Sequence, residues 1–233
     1  YKSDIKSYIL FINKEYNISV SKVQTKHISE WLISLSNNVV NRNTYLRKLS
    51  SIKEFYKFLY IDGIINIDPS KDIESPKKIN NIPKVLSIRQ IEEIIENIDS
   101  GFSPSSIRLL ALIELMYSTG MRVEELVSIP FNAVNFHNNS IFVIGKGGRE
   151  RIVPFGIKAM NAVKKYVEVR PIFLKKRKNS NYMFPSFGKK GYLTSRRFSQ
   201  LLKDVVSKTS LSHLSVSPHI LRHSFATHML LGG

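Results

Sequence analysis

Apolar residues recur at helical spacing in three stretches of the first 60 residues. They are Ile5, Tyr8, Ile9 and Ile12, then Ile28, Trp31, Leu32 and Leu35, and then Tyr45, Leu46, Leu49, Ile52, Phe55, Tyr56 and Leu59. Residues three or four positions apart share one face of an α-helix, so the pattern predicts three or four amphipathic helices. Gly63 can end the last helix, and Pro69 prevents it from resuming.

Periodicity stops in the segment ESPKKINNIPKV, which contains two prolines. We therefore predict a linker over residues 75–85, between an N-terminal domain at 1–74 and a second domain at 86–233. The second domain opens with LSIRQIEEIIENI, where Ser87 and Gln90 have the spacing of a capping box. Isoleucines recur behind this box at helical spacing.

The rest of the second domain combines helices with one hairpin. A buried helix is predicted over 106–118, ending at Thr119 and Gly120, and further helices near 156–169, near 195–208 and from Ser217 onward. Between the first two of these lies NNSIFVIGKGGRERIVPF, whose alternation and glycines are typical of a β-hairpin. The predicted fold class is mainly α with a small antiparallel β-sheet.

The chain has a large excess of basic over acidic residues, which points to an anionic partner. The 233 residues carry 35 Lys and Arg against 18 Asp and Glu, a net charge of +17, and both halves are basic. A nucleic acid partner, an anionic membrane surface and an ordinary Lys-rich protein surface are all consistent with this excess of positive charge.

No apolar stretch is long enough for a membrane span, and the N-terminus does not resemble a signal peptide. Cysteine is absent, which excludes disulfides and thiolate metal sites. We expect a cytoplasmic protein.

The stretch SPHILRHSFATH, residues 217–228, concentrates cationic chemistry on one helix. With Ser217 as N-cap and Pro218 in the first turn, His219, Arg222 and His223 share a face. A helix N-terminus beside an arginine fork favours a phosphate. Two alternatives stay open: a metal site on His219 and His223, which Arg222 and the lack of a suitable Glu disfavour, and a structural role. For His223 alone we expect the structural role, with a buried and hydrogen-bonded ring.

Two weaker signals of the same chemistry lie upstream. STGMRVEELVSI places Arg122 at the start of a helix with Glu125 three residues on, an arrangement that a local salt bridge also explains. GKGGRER places Lys146 at the tip of the hairpin, where an ordinary solvated turn lysine is the alternative.

Together and in this order, TGMRVEEL, GKGGRERIVPF and SPHILRHSFATHML resemble the motifs of the tyrosine recombinase family, most closely its Xer branch. The N-terminal NTYLRKLSSIKEFYKFL, IDPSKDIESPKK and IPKVLS agree with it, so the resemblance extends from about residue 4 to residue 233. It implies a helical core-binding, SAM-like domain at 1–74 and a catalytic domain at 86–233 that form a clamp on double-stranded DNA.

The resemblance also implies roles for individual residues. Arg122 and Arg222 match the two arginines that hold the scissile phosphate, and Lys146 matches the hairpin lysine that protonates the departing 5′ oxygen. His219 matches a histidine positioned for proton exchange. Glu125 matches an acidic position that orients its neighbours, and His223 a packing position. No cofactor and no metal are implied, because guanidinium groups can neutralise the phosphate.

Further contacts with DNA are expected from basic and polar residues outside these motifs. They are Arg42, Asn43, Thr44, Arg47 and Lys48 in the N-terminal domain, and Arg149, Arg196 and Arg197 in the second. For any one of them a solvated surface position is an equal alternative.

One departure from the family concerns the nucleophile. The family continues beyond its second arginine with another His or Trp and the attacking tyrosine, whereas all ten tyrosines here precede Arg222. Tyr117 and Tyr166 look like packing residues, and Tyr182 and Tyr192 like loop residues. We expect a tail with the tyrosine to be missing from this sequence, and the 233 residues to be inactive alone.

The expected function is site-specific recombination through a 3′-phosphotyrosyl intermediate, with chromosome dimer resolution as the specific role. A mobile-element integrase, a type IB topoisomerase and a non-catalytic DNA-binding module are the alternatives. Expected partners are duplex DNA in the nucleoid and further copies of the chain, as a dimer on one site and a tetramer in the synapse, joined through the C-terminal tail. A paralogous recombinase or a DNA translocase is a further candidate partner. We expect no interaction with a membrane.

Overall fold

The computed structural model describes residues 1–37, 41–76, 85–98, 103–174 and 180–232, and for Lys146 it describes the backbone only. The chain divides into two compact units, Tyr1–Asn81 and Ile82–Gly233. The boundaries 1–74 and 86–233 stay a prediction, and most of the predicted linker, residues 77–84, lies outside the described ranges.

The N-terminal unit contains three α-helices in its described part: α1 (Lys2–Tyr16), α2 (Thr25–Asn37) and α3 (Arg42–Ile61). Their apolar faces form one core in which Tyr8, Trp31 and Tyr56 are almost wholly buried. The hydroxyl groups of Tyr8 and Tyr56 form a hydrogen bond of 2.9 Å, which satisfies two polar atoms inside that core. Burial raises the pKa of Tyr56 to about 12, so both phenols stay neutral.

The second unit is built around one central helix. Its described helices are α4 (Ile88–Glu96), α5 (Pro104–Thr119), α6 (Val123–Val127), α7 (Ile157–Val169), α8 (Ser195–Val206) and α9 (Pro218–Leu231). α5 is buried on most sides, and α7, α8 and α9 all pack against it. Its apolar residues are therefore spread around the helix, as the sequence predicted for a buried helix.

Three short strands form one antiparallel sheet in the order β1 (Val134–Asn135), β2 (Ser140–Ile144) and β3 (Glu150–Pro154). β2 and β3 are the predicted hairpin, with Val143 opposite Arg151 and Ile144 opposite Glu150. Lys146–Gly148 form a single 3₁₀ turn between them, in which Gly147 and Gly148 have positive φ. The predicted fold class, mainly α with a small antiparallel sheet, is confirmed.

The predicted starts of α4 and α9 differ in how they are capped. The Ser87 hydroxyl accepts from the Gln90 amide at 3.2 Å, and the Gln90 side chain accepts from the Ser87 amide at 2.8 Å, so the capping box is present. Ser217 occupies the N-cap position of α9 as predicted, but its hydroxyl makes no capping bond. Within the described ranges, none of the helices combines the length and apolar character that a membrane span requires.

Candidate active site

Arg122 is placed by a sharp turn between α5 and α6. Gly120 ends α5 with φ of 55°, in the left-handed region that favours glycine, and Arg122 is the N-cap of α6. A Cβ on Gly120 would lie 2.2 Å from the ring of Phe225 on α9. The missing side chain therefore lets α9 approach the turn that carries Arg122.

α9 presents His219, Arg222 and His223 on the side opposite its buried residues. Leu221 and Ser224 are buried, and the Ser224 hydroxyl accepts from the Leu86 amide at 2.9 Å. His219 and His223 are exposed, and Arg222 is partly buried on the same side of the helix. The i, i+3, i+4 spacing predicted this shared face.

Arg122 and Arg222 line the same pocket, although 99 intervening residues separate them in the sequence. This arginine pocket has a volume of about 550 Å³ and lies between α6, α8 and α9. Its charged and imidazole side chains are Arg122, Glu124, Arg196, His219, Arg222 and His223. Glu124 is engaged with the Ser195 hydroxyl on α8. The pocket is thus cationic and is shaped by three different helices.

Arg222 carries a guanidinium whose charge is disfavoured both by burial and by its cationic neighbours. Burial lowers the pKa of its guanidinium, and the nearby charges of Arg122 and Arg151 lower it further, with Glu125 acting in the opposite direction. Its Nη1 atom is buried and has no hydrogen-bond partner among the described residues. An unpaired buried donor is unfavourable, so an oxyanion in the arginine pocket would be strongly favoured.

Glu125 has a carboxylate that is fully occupied by donors. Oε1 accepts from Arg122 Nη1 at 3.1 Å and Arg151 Nη1 at 3.3 Å, while Oε2 accepts from the Arg122 amide at 3.0 Å and Arg151 Nη2 at 2.8 Å. Burial alone would raise the pKa of Glu125, but the bonds from Arg151 and Arg122 outweigh it and lower the pKa. This carboxylate can orient arginines and is unsuited to accepting a proton.

The expectation of a buried, hydrogen-bonded His223 is wrong. Its side chain is exposed and lines the arginine pocket together with His219. Position 223 lies on the same face as Arg222, and the core side of α9 is occupied by Leu221 and Ser224 instead. Both imidazoles are therefore placed beside Arg222, and the proton-exchange role of His219 stays a prediction.

Of the other predicted residues of the second unit, Arg196 is the one among the described side chains that lines this pocket. Arg197, at the next position of α8, is exposed and contacts the Gln200 side chain at 3.5 Å. Arg149 is exposed at the end of the hairpin turn. The side chain of Lys146, the predicted acid, lies outside the described residues.

The predicted DNA-contact residues of the N-terminal unit cluster in the first two turns of α3. Arg42, Asn43 and Arg47 are exposed, and Thr44 and Lys48 are partly buried. Arg47 forms an ion pair with Asp4, and the Lys48 ammonium lies 5.5 Å from the centre of the Trp31 ring. Arg47 and Lys48 are therefore held by contacts within the N-terminal unit, and contact of all five residues with DNA stays a prediction.

Arg151 is the site residue that the sequence did not reveal. It pairs with Glu125 through both terminal nitrogens, and this contact depends on how β3 packs beside α6. The alternation of β3 carried a usable signal, because an arginine at an inward strand position requires a buried or half-buried partner.

None of the described residues that line the arginine pocket is a tyrosine. Tyr166 is fully buried against Phe184, and the Tyr117 hydroxyl bonds to Nδ1 of His228 at 2.8 Å. The rings of Tyr182 and Tyr192 contact each other with centroids 4.7 Å apart. The pocket thus has groups to bind an oxyanion, and these four tyrosines are engaged elsewhere.

Known structures share this fold at low sequence identity. The integrase of the Tn1549 transposon, in complex with transposon right end DNA, matches with a TM-score of 0.74 and 18% identity, over 100% of this chain and 81% of that one. The XerH site-specific recombinase bound to its difH substrate matches with a TM-score of 0.70 and 20% identity, over 98% of this chain and 67% of that one.

Relatives found by sequence have a higher identity to this chain than these structures have. A tyrosine recombinase XerD of Rickettsia prowazekii (strain Madrid E) is 39% identical over the whole chain, which covers 78% of that relative. The XerD of Caulobacter vibrioides is 41% identical over 82% of the chain and 63% of the relative. The model of the phage integrase family matches residues 84–233, and that of the phage integrase N-terminal SAM-like domain matches residues 1–63. The chain therefore belongs to the phage integrase family and is a Xer-like tyrosine recombinase.

Proposed function

We propose that the arginine pocket binds the scissile phosphate of double-stranded DNA and supports strand cleavage through a 3′-phosphotyrosyl intermediate. The observation that carries the proposal is the buried Nη1 of Arg222, which has no partner among the described residues and lies in the pocket that Arg122 also lines. A phosphate supplies the oxygens that such a donor needs, at a position where two guanidinium groups converge.

The roles of the residues follow from the charge that develops during phosphoryl transfer. Arg122 and Arg222 hold the non-bridging oxygens and stabilise the added negative charge of the transition state. His219 exchanges a proton with the nucleophile or the phosphate, and Lys146 protonates the departing 5′ oxygen. Glu125 orients Arg122, and His223, now placed at the pocket, is available to donate a hydrogen bond to the same phosphate.

Duplex DNA is the proposed partner of both units. The net charge of +17 supports it, as do the solved DNA complexes of proteins with the same fold. We assign backbone or base contacts to the start of α3, to Arg196 in the arginine pocket and to two further exposed arginines of the second unit. These residues are Arg42, Asn43, Thr44, Arg47, Lys48, Arg149, Arg196 and Arg197.

The biological role proposed is resolution of chromosome dimers at the nucleoid, which the resemblance to the Xer branch implies. Strand exchange between two sites needs four active sites, so we propose a dimer on each site and a tetramer in the synapse. None of the described residues that line the arginine pocket is a tyrosine, so the tests of cleavage are made with the full-length protein.

The test is covalent trapping on a nicked duplex. The recombination site is first selected from a randomised duplex pool by affinity. A nick a few nucleotides to the 3′ side of the cleaved phosphate lets the short released segment, which carries the free 5′ hydroxyl, diffuse away after attack. We expect full-length protein to form a protein–DNA adduct that survives denaturing electrophoresis. Arg222→Ala should slow adduct formation by at least about 100-fold, with most DNA affinity retained. The matched control is Arg89→Gln, an exposed arginine on α4.

A full-length protein that binds the selected duplex and never becomes attached to it would contradict the proposal. That result would favour the alternative of a DNA-binding module without catalysis. An adduct of unchanged yield in Arg222→Ala would instead remove Arg222 from the phosphate site.

A further inference from the structure

Arg151 lies on the inward side of β3. Along this strand exposed and half-buried residues alternate, and Arg151 and Val153 occupy the half-buried positions. Opposite Arg151 on β2 is Val143, which is buried. The Arg151 side chain is 38% exposed, so it has been brought only partly out of water. A charge in such a place requires a partner.

That partner is the carboxylate of Glu125. The two bonds, 2.8 Å from Nη2 to Oε2 and 3.3 Å from Nη1 to Oε1, form a two-pronged pair that fixes the plane of the carboxylate. The side chain of Glu125 is only 9% exposed, so water competes little for these oxygens. Arg151 thereby determines where the carboxylate lies.

The carboxylate in turn holds Arg122. Oε1 accepts from Arg122 Nη1 at 3.1 Å, and Oε2 accepts from the Arg122 backbone amide at 3.0 Å. The Arg122 side chain is itself 57% exposed, so Glu125 provides its fixed contact with the protein. A displaced Glu125 would leave this arginine without a defined position.

The same arginine also borders the hairpin turn. A Cβ added to Gly145 would lie 3.1 Å from Arg151 Nη1 and 3.5 Å from Glu125 Oε1, so the ion pair packs directly against the Gly145 backbone. The Gly145 amide donates to the Arg149 carbonyl at 2.7 Å and closes the turn that contains Lys146. One ion pair thus contacts both the start of α6 and the base of the turn.

We propose that Arg151 is a positioning residue for the phosphate site, acting through Glu125 on Arg122 and through Gly145 on the Lys146 turn. This inference rests on the proposed function. The competing role for Arg151 is direct contact with the phosphate. Its two terminal nitrogens are both engaged by Glu125, which favours positioning.

The test compares single-turnover adduct formation at saturating nicked duplex with DNA affinity, in the full-length protein. We expect Arg151→Gln to slow adduct formation about 10- to 100-fold, with DNA affinity equal to that of the control Arg89→Gln. Arg151→Lys keeps the charge and loses the fork, and it should remain slow. Thermal melting of each variant shows that it is folded.

A double variant separates positioning from direct contact. If Arg151 acts through Glu125, the Arg151→Gln and Glu125→Gln double variant should be no slower than the slower single variant. If the two defects multiply and DNA affinity falls with Arg151→Gln, Arg151 contacts the phosphate itself and the inference is wrong. Full activity of Arg151→Lys would also overturn it, because charge alone would then suffice.

Adduct formation by the wild-type protein distinguishes failure of this inference from failure of the proposed function on which it rests. Absence of any wild-type adduct would overturn the proposed function and the inference with it. A normal wild-type rate together with an Arg151→Gln rate equal to the control would overturn the inference alone.

Discussion

At the scale of single residues, three arginines of the site, Arg122, Arg151 and Arg222, surround the carboxylate of Glu125. Arg122 and Arg151 both lower the pKa of Arg222, in addition to the effect of burial, and Glu125 is the acidic residue that offsets them. Such crowding is unfavourable until an anion binds among the guanidinium groups. The arrangement therefore favours a phosphate with added negative charge, which is the form reached during phosphoryl transfer.

The proposed acid Lys146 has a residue-level test. Lys146→Ala in the full-length protein should slow cleavage of an ordinary duplex, because the departing 5′ oxygen leaves poorly without a proton. A substrate with sulfur in place of that oxygen leaves more readily, and it should restore much of the rate. The measurement is the ratio of cleavage rates on the two substrates, and an equal defect on both would remove Lys146 from the acid role.

Residue-level prediction from sequence succeeded where contacts are local and failed where they are tertiary. The spacing of His219 and Arg222 places both side chains on one helix face whatever the surroundings. The alternation of β3 indicates that Arg151 needs a partner, but the choice of Glu125 depends on the packing of the hairpin beside α6 and is not encoded locally. The prediction of a buried His223 was wrong because it assigned the ring to the core. The helical spacing of His219, Arg222 and His223 places this ring beside Arg222 instead.

At the scale of elements, α1 and α3 are tied by a buried polar cluster. Asp4 on α1 is 3% exposed, pairs with Arg47, and accepts from the Ser51 hydroxyl at 3.2 Å. Burial would raise the pKa of Asp4, but Ser51 and Arg47 outweigh it and lower the pKa below its usual value of 3.8. Ionised Asp4 therefore stabilises the folded N-terminal unit.

The contacts of Asp4 predict that the stability of the N-terminal unit depends on pH. Asp4→Asn should lower the free energy of unfolding by about 1–3 kcal/mol at pH 7, because charged hydrogen bonds are lost. A folded-state pKa below the unfolded value means that this stabilisation is complete above the unfolded pKa and is lost as pH falls through the folded pKa. The difference in melting temperature from wild type should therefore be present at pH 7 and pH 5 and shrink at about pH 3.

The matched control for that experiment is Asp62→Asn, an exposed aspartate at the end of α3. It should melt like wild type at each pH. If the difference in melting temperature between Asp4→Asn and wild type grew as the pH fell, ionised Asp4 would not be the stabilising form.

Element prediction worked where the periodic pattern is long. The alternation and glycines of residues 138–155 predicted the hairpin, and the apolar run of 106–118 predicted the buried α5. The two-residue strand β1 was not predicted, because two residues carry no periodicity. The approach of α9 to the turn at Gly120 was equally hidden, since it depends on the Phe225 ring.

At the scale of the whole molecule, the charge of +17 makes DNA affinity dependent on salt. Each phosphate neutralised by a cation releases counterions, so affinity should fall about 10³- to 10⁵-fold between 50 and 200 mM salt if roughly six to ten phosphates are contacted. Arg42→Gln should reduce the slope by about one. Equilibrium binding across a salt series measures both, and a flat response would argue against extensive backbone contact.

The proposed neutralisation of one phosphate by Arg122 and Arg222 is tested by replacing that phosphate with an uncharged methylphosphonate. The full-length protein and Arg222→Ala are compared on nicked duplexes that differ only at the scissile linkage. We expect Arg222→Ala to be strongly impaired on phosphate and to regain much of its cleavage on methylphosphonate, where less charge must be neutralised. An equal defect on both substrates would contradict the proposed neutralisation.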